Sequence, residues 1–209
     1  MPSASAAAPL LRLHPGPVEP TTVADAYLVP RPAASARPWL AVCMIATIDG
    51  ATARAGRSGG LGNATDRAVL AAMREAADVV LVGSTTARGE GYGPPRKAGL
   101  RIGVVTNRGT VDPTAALFTS GAGFVIAPEQ AEVPDGVPVL RTGHTQVDLA
   151  EAVARLPEVV PGAAFVSAEG GPRLNAGLLA AGLVDELTVT TAPLAIGGPS
   201  ARLVDGAPE

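Results

Sequence analysis

Apolar residues fall in short blocks separated by polar, glycine-rich turns, and two periodicities alternate along the chain. Trp39–Thr47 (WLAVCMIAT) is almost continuously apolar, the pattern of a strand covered on both faces. Val69, Leu70 and Met73 then form a helical stripe filled out with Ala, predicting a helix that Asn63 or Thr65 caps and that runs to residue 77. Residues 78–83 predict a second buried strand, and Ser84-Thr85-Thr86 after it is a helix-start signal. Further strands are predicted at 101–106, 123–127, 137–140, 163–168 and 185–191, with helices at 147–156 and 172–181. No segment repeats.

Strands alternating with helices predict an α/β fold with a mostly parallel sheet and helices on both faces. In such sheets ligands bind beyond the carboxyl ends of the strands. Three of those ends carry useful chemistry: residues 47–50, 83–86 and 169–171. Before Pro38 the chain is rich in Pro, Ala and Ser without a sustained period. Residues 1–37 therefore read as a loosely ordered arm and residues 38–209 as one domain.

Composition narrows the function. With 47% hydrophobic and 17% charged residues, the 209-residue chain has the make-up of one well-packed domain. A net charge of −3 argues against general nucleic-acid binding, while leaving room for a local basic site that takes a phosphorylated small molecule. Cys43 is the only cysteine, and His14 and His144 stand apart, so neither an internal disulfide nor a His/Cys metal centre is expected. Met1-Pro2-Ser3-Ala4-Ser5 lacks the basic start of a signal peptide, and no apolar run approaches the roughly 20 residues of a membrane span. The cytoplasm is the expected location, with no membrane partner.

The turn Glu169-Gly170-Gly171-Pro172 is the sharpest local signal. Two glycines after a buried strand let backbone approach a ligand, and Pro172 suits a first helical turn. The free N–H groups that follow, with the helix dipole behind them, suit a diphosphate. The same pattern also fits an ordinary tight turn, and it is neither a dinucleotide fingerprint nor a Walker sequence. Gly83-Ser84-Thr85-Thr86 repeats it, with hydroxyls that could simply be caps. Arg108, in Thr106-Asn107-Arg108-Gly109, could face an adenosine 2′-phosphate or lie on a surface turn. Asp49-Gly50 fits a plain turn, and Arg67 and Arg74, at i and i+7, fit either an anionic substrate or a solvated face. Arg96 and Lys97 are ambiguous for the same reason.

Taken in order, Ala46-Thr47-Ile48-Asp49-Gly50, Leu70 to Arg74, residues 77–86, Glu169-Gly170-Gly171-Pro172-Arg173-Leu174 and Gly182-Leu183-Val184-Asp185-Glu186-Leu187 carry a resemblance. They resemble the reductase domain of the bifunctional deaminase-reductase of riboflavin biosynthesis, within the dihydrofolate-reductase-like superfamily. The resemblance spans residues 39–206. It implies a three-layer α/β fold, a homodimer, NADPH as cofactor, and reduction of the ribosyl group of 5-amino-6-ribosylaminouracil 5′-phosphate to ribityl by hydride transfer. It implies Ile45, Gly60, Thr86, Glu90, Asn107, Gly170, Gly171, Pro172, Arg173, Leu174 and Asn175 as cofactor contacts. It places Ser58, Arg74, Arg96 and Glu169 on the substrate, and Glu90 and Asp49 as the active-site carboxylates.

The departures cluster around the substrate. Ala51 stands where the family often has Lys or Arg, Gly60 replaces a frequent aromatic, and Glu90-Gly91-Tyr92-Gly93-Pro94 replaces an Asp-Asp-Pro stretch. Family members continue into a last strand, so an antiparallel C-terminal edge left incomplete at Glu209 is expected, with the exposure an open edge brings. Two other functions stay open on the sequence: a dihydrofolate or pteridine reductase, and a nucleotide-binding protein with impaired catalysis.

Overall fold

The computed structural model describes residues 10–32 and 36–206. A short antiparallel pair, β1 (Leu10–Arg12) and β2 (Glu19–Thr21), precedes a one-turn helix α1 (Val23–Tyr27). The main body then alternates: β3 (Trp39–Thr47), α2 (Ala64–Ala76), β4 (Val79–Gly83), α3 (Ser84–Glu90), β5 (Arg101–Val105), α4 (Ala116–Thr119), β6 (Gly123–Ala127), β7 (Val139–Arg141), α5 (Leu149–Val159), β8 (Phe165–Ala168), α6 (Pro172–Ala180) and β9 (Glu186–Ala192). Seven strands form one sheet in the order β7-β6-β5-β4-β8-β3-β9.

Alternating side chains divide the core between the two faces, which makes the predicted three layers. Leu40 and Val42 of β3 join Leu81, Phe124, Val153, Leu156, Leu174 and Leu178 on the face covered by α5 and α6. Ala41 and Cys43 join Val69, Met73, Val80, Ile102 and Leu117 on the face covered by α2. Asn63 caps α2, its side chain accepting from Asp66 N–H, and Asp148 caps α5 in the same way. Helix α5 runs past the expected end at 156 and includes Pro157.

The site is prepared by a mismatch in strand length. Strand β8 ends at Ala168, level with Val42 of β3 and Leu81 of β4. Strand β3 continues to Thr47 alongside β9, and β4 continues to Gly83 alongside β5. A notch therefore opens above the end of β8, flanked by the ends of β3 and β4. The three strand ends singled out in the sequence lie on these three adjacent strands.

Two expectations need correcting. The C-terminal edge strand is parallel, not antiparallel: Ala41 to Thr47 pair in register with Glu186 to Ala192. Helix α6 carries the chain from one end of the sheet to the other between β8 and β9, and such a crossover makes the strands it joins parallel. Antiparallel pairing among the described residues is confined to β1–β2 and the isolated bridges Ala51–Arg202 and Arg54–Arg57.

The described part of the N-terminal segment is also not a loose arm. Arg31 donates from Nε and Nη2 to the two carboxylate oxygens of Glu186, each at 3.0 Å, and lies 4.1 Å over the ring of Phe165. Trp39 Nε1 adds a bond to the same carboxylate. This partly buried ion pair ties the segment to the sheet. Residues 1–9, 33–35 and 207–209, which include the expected N-terminal start and the chain end at Glu209, lie outside the described residues. Among those described, no helix is long and apolar enough to cross a membrane.

Candidate functional site

Glycines bring the turns after β4 and β8 into contact. Gly83 N–H donates to Gly170 O at 2.7 Å. Gly170 has φ +77°, and a Cβ there would stand 2.7 Å from Met44 Sδ. A Cβ on Gly171 would stand 2.5 Å from Thr86 Oγ1. Only glycine fits this double turn, because one position needs the left-handed region and both need the space. The Gly170–Gly171 peptide is cis.

Two helix N-termini open beside these glycines. The N-cap of α3 is Gly83 and that of α6 is Gly171, and neither receives a side-chain capping bond. Their first-turn N–H groups are thus left for a ligand, with both helix dipoles favouring negative charge. Among the predicted cofactor contacts, Gly170, Gly171, Pro172 and Thr86 meet here. Arg173 is exposed at the second helical position, whereas Leu174 is buried and offers only its backbone. Asn175 is fully buried, and its Nδ2 donates to Leu203 O at 2.9 Å. It pins the C-terminal segment to α6, because its place on the helix turns it inward beside Leu174 and Leu178.

The outlying cofactor positions frame the notch. Ile45 lies in the stretch of β3 that has outrun β8. Gly60 is exposed in the loop between β3 and α2. Asn107 follows β5, and its Oδ1 accepts from Val147 N–H, tying the loop before α5 to that strand end. Ser58 N–H donates to Glu90 Oε1 at 2.7 Å, so two predicted site residues, one in the loop after β3 and one at the end of α3, are bonded together.

At the end of β8, beside the notch, sits a charged cluster. Arg74 Nε donates to Glu169 Oε1 at 2.7 Å and Arg74 Nη2 to Oε2 at 2.5 Å. The fork-on-fork geometry is the strongest form of this pair. Glu169 has only 3% of its side chain exposed, while Arg74 keeps 33%. The long side chain reaches up from the last turn of α2 because helical Cα–Cβ bonds tilt toward the helix start. The two arginines that the spacing put on one face therefore separate: Arg67 is exposed, and Arg74 is half-buried against Glu169.

Tyr92 completes the cluster; in the sequence its stretch stands out only as a departure from the family, with no role for the tyrosine itself. Gly91, in the left-handed conformation, ends α3, and Tyr92 N–H bonds back to Ala87 O. This turn sends the phenol inward, where its hydroxyl donates to Glu169 Oε2 at 2.5 Å and its ring lies 5.2 Å under the Arg74 guanidinium. Burial, followed by the negative charge of Glu169, raises the phenol pKa well above its ordinary value, so Tyr92 remains a donor. Burial and the same carboxylate push the Cys43 thiol up to about 12.

Two predicted residues stand apart from the cluster. Asp49 was expected as an active-site acid, but its carboxylate is held by the Thr47 hydroxyl and by the N–H groups of Ile196 and Gly197, the latter at 2.7 Å. These donors, the Thr47 hydroxyl foremost, lower its pKa to about 2. Asp49 is an anchor for the loop after β9, which its position at the end of the neighbouring strand puts within reach. Arg96 is exposed in the loop after α3, next to Lys97, whose Nζ donates to Ala77 O at the opposite end of the sheet. It makes no hydrogen bond among the described residues and is not brought to the cluster.

Comparison with known proteins follows the same geometry. Over 188 residues the chain is 30% identical to the 2,5-diamino-6-ribosylamino-4(3H)-pyrimidinone 5′-phosphate reductase of Methanothermobacter thermautotrophicus, covering 81% of this chain and 85% of that protein. A pyrimidine reductase-like protein from Corynebacterium diphtheriae superposes with a TM-score of 0.68 at 24% identity, over 79% of each chain. RibD of Acinetobacter baumannii does so with a TM-score of 0.70 at 21% identity, over 84% of this chain and 51% of that one. The RibD C-terminal domain matches residues 38–208, so the chain belongs to the RibD C-terminal domain family of reductases.

Proposed function

We propose that this protein is an NADPH-dependent reductase of riboflavin biosynthesis that turns the ribosyl group of a ribosylaminopyrimidine 5′-phosphate into ribityl. The observation that carries the reading is the glycine double turn, with two uncapped helix starts, running directly on from Glu169 of the buried Glu169–Arg74 pair. A diphosphate fits the first element and a polar sugar phosphate the second. The M. thermautotrophicus relative is named for the phosphate of this compound class.

On this reading Gly170, Gly171, Pro172, Arg173 and the Leu174 backbone hold the cofactor diphosphate, with Thr86 beside it. Ile45, Gly60 and Asn107 line the rest of the cofactor. Bound NADPH supplies the hydride. The chain would align the opened, imine-like sugar carbon with it and keep water out; with the imine nitrogen already protonated, hydride addition to that carbon would complete the amine. Glu90, already tied to the Ser58 loop, is the carboxylate that favours the positively charged form of the imine. Ser58, Arg74 and Glu169 contact the substrate.

The outer edge of β9 has no strand partner among the described residues and exposes Leu187 and Val189. A second copy covering it would remove an apolar open edge, which supports the homodimer. A single buried cysteine suits the reducing cytoplasm.

The test is NADPH oxidation with the aminopyrimidine phosphate and, in parallel, dihydrofolate. Turnover of the first, with KM raised at least tenfold in Arg74→Ala, is expected. Turnover of dihydrofolate alone would reassign the substrate, and failure to bind NADPH would overturn the proposal.

A further inference from the structure

Glu169 and Arg74 are polar groups in a half-closed site, and such groups serve a substrate only if they are held in one arrangement. The clasp between them constrains their plane but leaves Glu169 free to pivot with its partner. The third contact removes that freedom. Tyr92 approaches from a different segment and donates to Oε2, the oxygen that already takes Arg74 Nη2. Oε2 is thereby saturated, while Oε1 takes only Arg74 Nε and keeps acceptor capacity. Arg74 in turn keeps Nη1, which bonds to nothing among the described residues, on a side chain that remains one-third exposed.

We propose that Tyr92 is a positioning residue of this site: its hydroxyl locks the Glu169 carboxylate, and through it the Arg74 guanidinium, so that Oε1 and Nη1 face a sugar phosphate as a preset acceptor–donor pair. The assignment rests on the proposed reductase reading and deepens it. Three observations favour it over simple core filling. The phenol is joined to a nearly buried carboxylate by a 2.5 Å bond. Its ring stacks on the second member of the pair. The left-handed Gly91 that ends α3 turns the chain so that both contacts form at once. A tyrosine needed only for packing would not require the hydroxyl.

Tyr92→Phe keeps the ring and removes only that hydroxyl. Ribose 5-phosphate binding, followed by calorimetry, is expected to weaken about tenfold, as for loss of a hydrogen bond to a charged group. KM for the aminopyrimidine phosphate should rise by a similar factor, with kcat changed less than threefold and the NADPH Kd unchanged. In the Glu169→Gln background Tyr92→Phe should cost less than twofold, because its target is already altered. Additive losses, unchanged ribose 5-phosphate binding, or an equal loss of NADPH affinity would each overturn the proposal. Wild-type protein that reduces no aminopyrimidine phosphate, yet binds ribose 5-phosphate more tightly than Tyr92→Phe, would sink the reductase reading while supporting the role of Tyr92. If the wild type binds neither compound, both fall.

Discussion

Glu169 and Arg74, 95 residues apart in the chain, share two parallel hydrogen bonds, with the carboxylate almost wholly enclosed and the guanidinium still partly in water. Removing one partner strands the other in a low-dielectric site. Glu169→Gln should therefore destabilise the fold by about 2–3 kcal/mol, toward the lower end for a buried pair because Arg74 can recruit solvent. Urea denaturation at neutral pH measures it, and a change below about 0.5 kcal/mol would show that the pair contributes little.

Gly170 tests the double turn. Alanine there meets both the left-handed φ and Met44 Sδ, so Gly170→Ala should cost about 2 kcal/mol. NADPH affinity should fall with it, since the turn sets the start of α6. A variant with wild-type midpoint and affinity would mean that the turn adapts.

Asp49 gives a pH dependence with a definite sign. Its pKa is lowered from 3.8 to about 2, so its anchoring of the loop after β9 is fully present above about pH 4 and is lost as pH falls toward 2. Asp49→Asn should be less stable than wild type at pH 6, and the gap should close between pH 4 and 2. A gap that is flat across this range would assign the effect to something other than the ionised carboxylate.

Cys43 should be inert in the native state. It is 8% exposed, and its thiol is pushed up to about 12, leaving almost no thiolate at neutral pH. Labelling by a thiol-specific disulfide reagent at pH 8 should proceed only at the rate of unfolding. Rapid stoichiometric labelling without denaturant would contradict this.

Much of the fold was legible because it rests on local pattern. The apolar block of β3, the stripe of α2 and the Gly-Gly-Pro turn before α6 are each written in contiguous residues, and tertiary packing did not override them. The N-terminal segment is the opposite case. Its composition says loop, yet Arg31 finds a carboxylate 155 residues away, and that ion pair is invisible to any window along the chain.

From Trp39 onward the sequence by itself determined the order of the strands and main helices, the strand ends that could carry chemistry, and, through the spacing of its motifs, the family. Only the tertiary structure decided what the polar residues do. It put β8 between β3 and β4 and ended it short, which made the notch. It committed Asp49 and Asn175 to holding backbone and brought Tyr92 onto Glu169. The physical reason is that local structure follows from backbone preference and apolar period. A charged or hydroxyl side chain takes its role from the donors and acceptors that distant segments bring within about 3 Å of it.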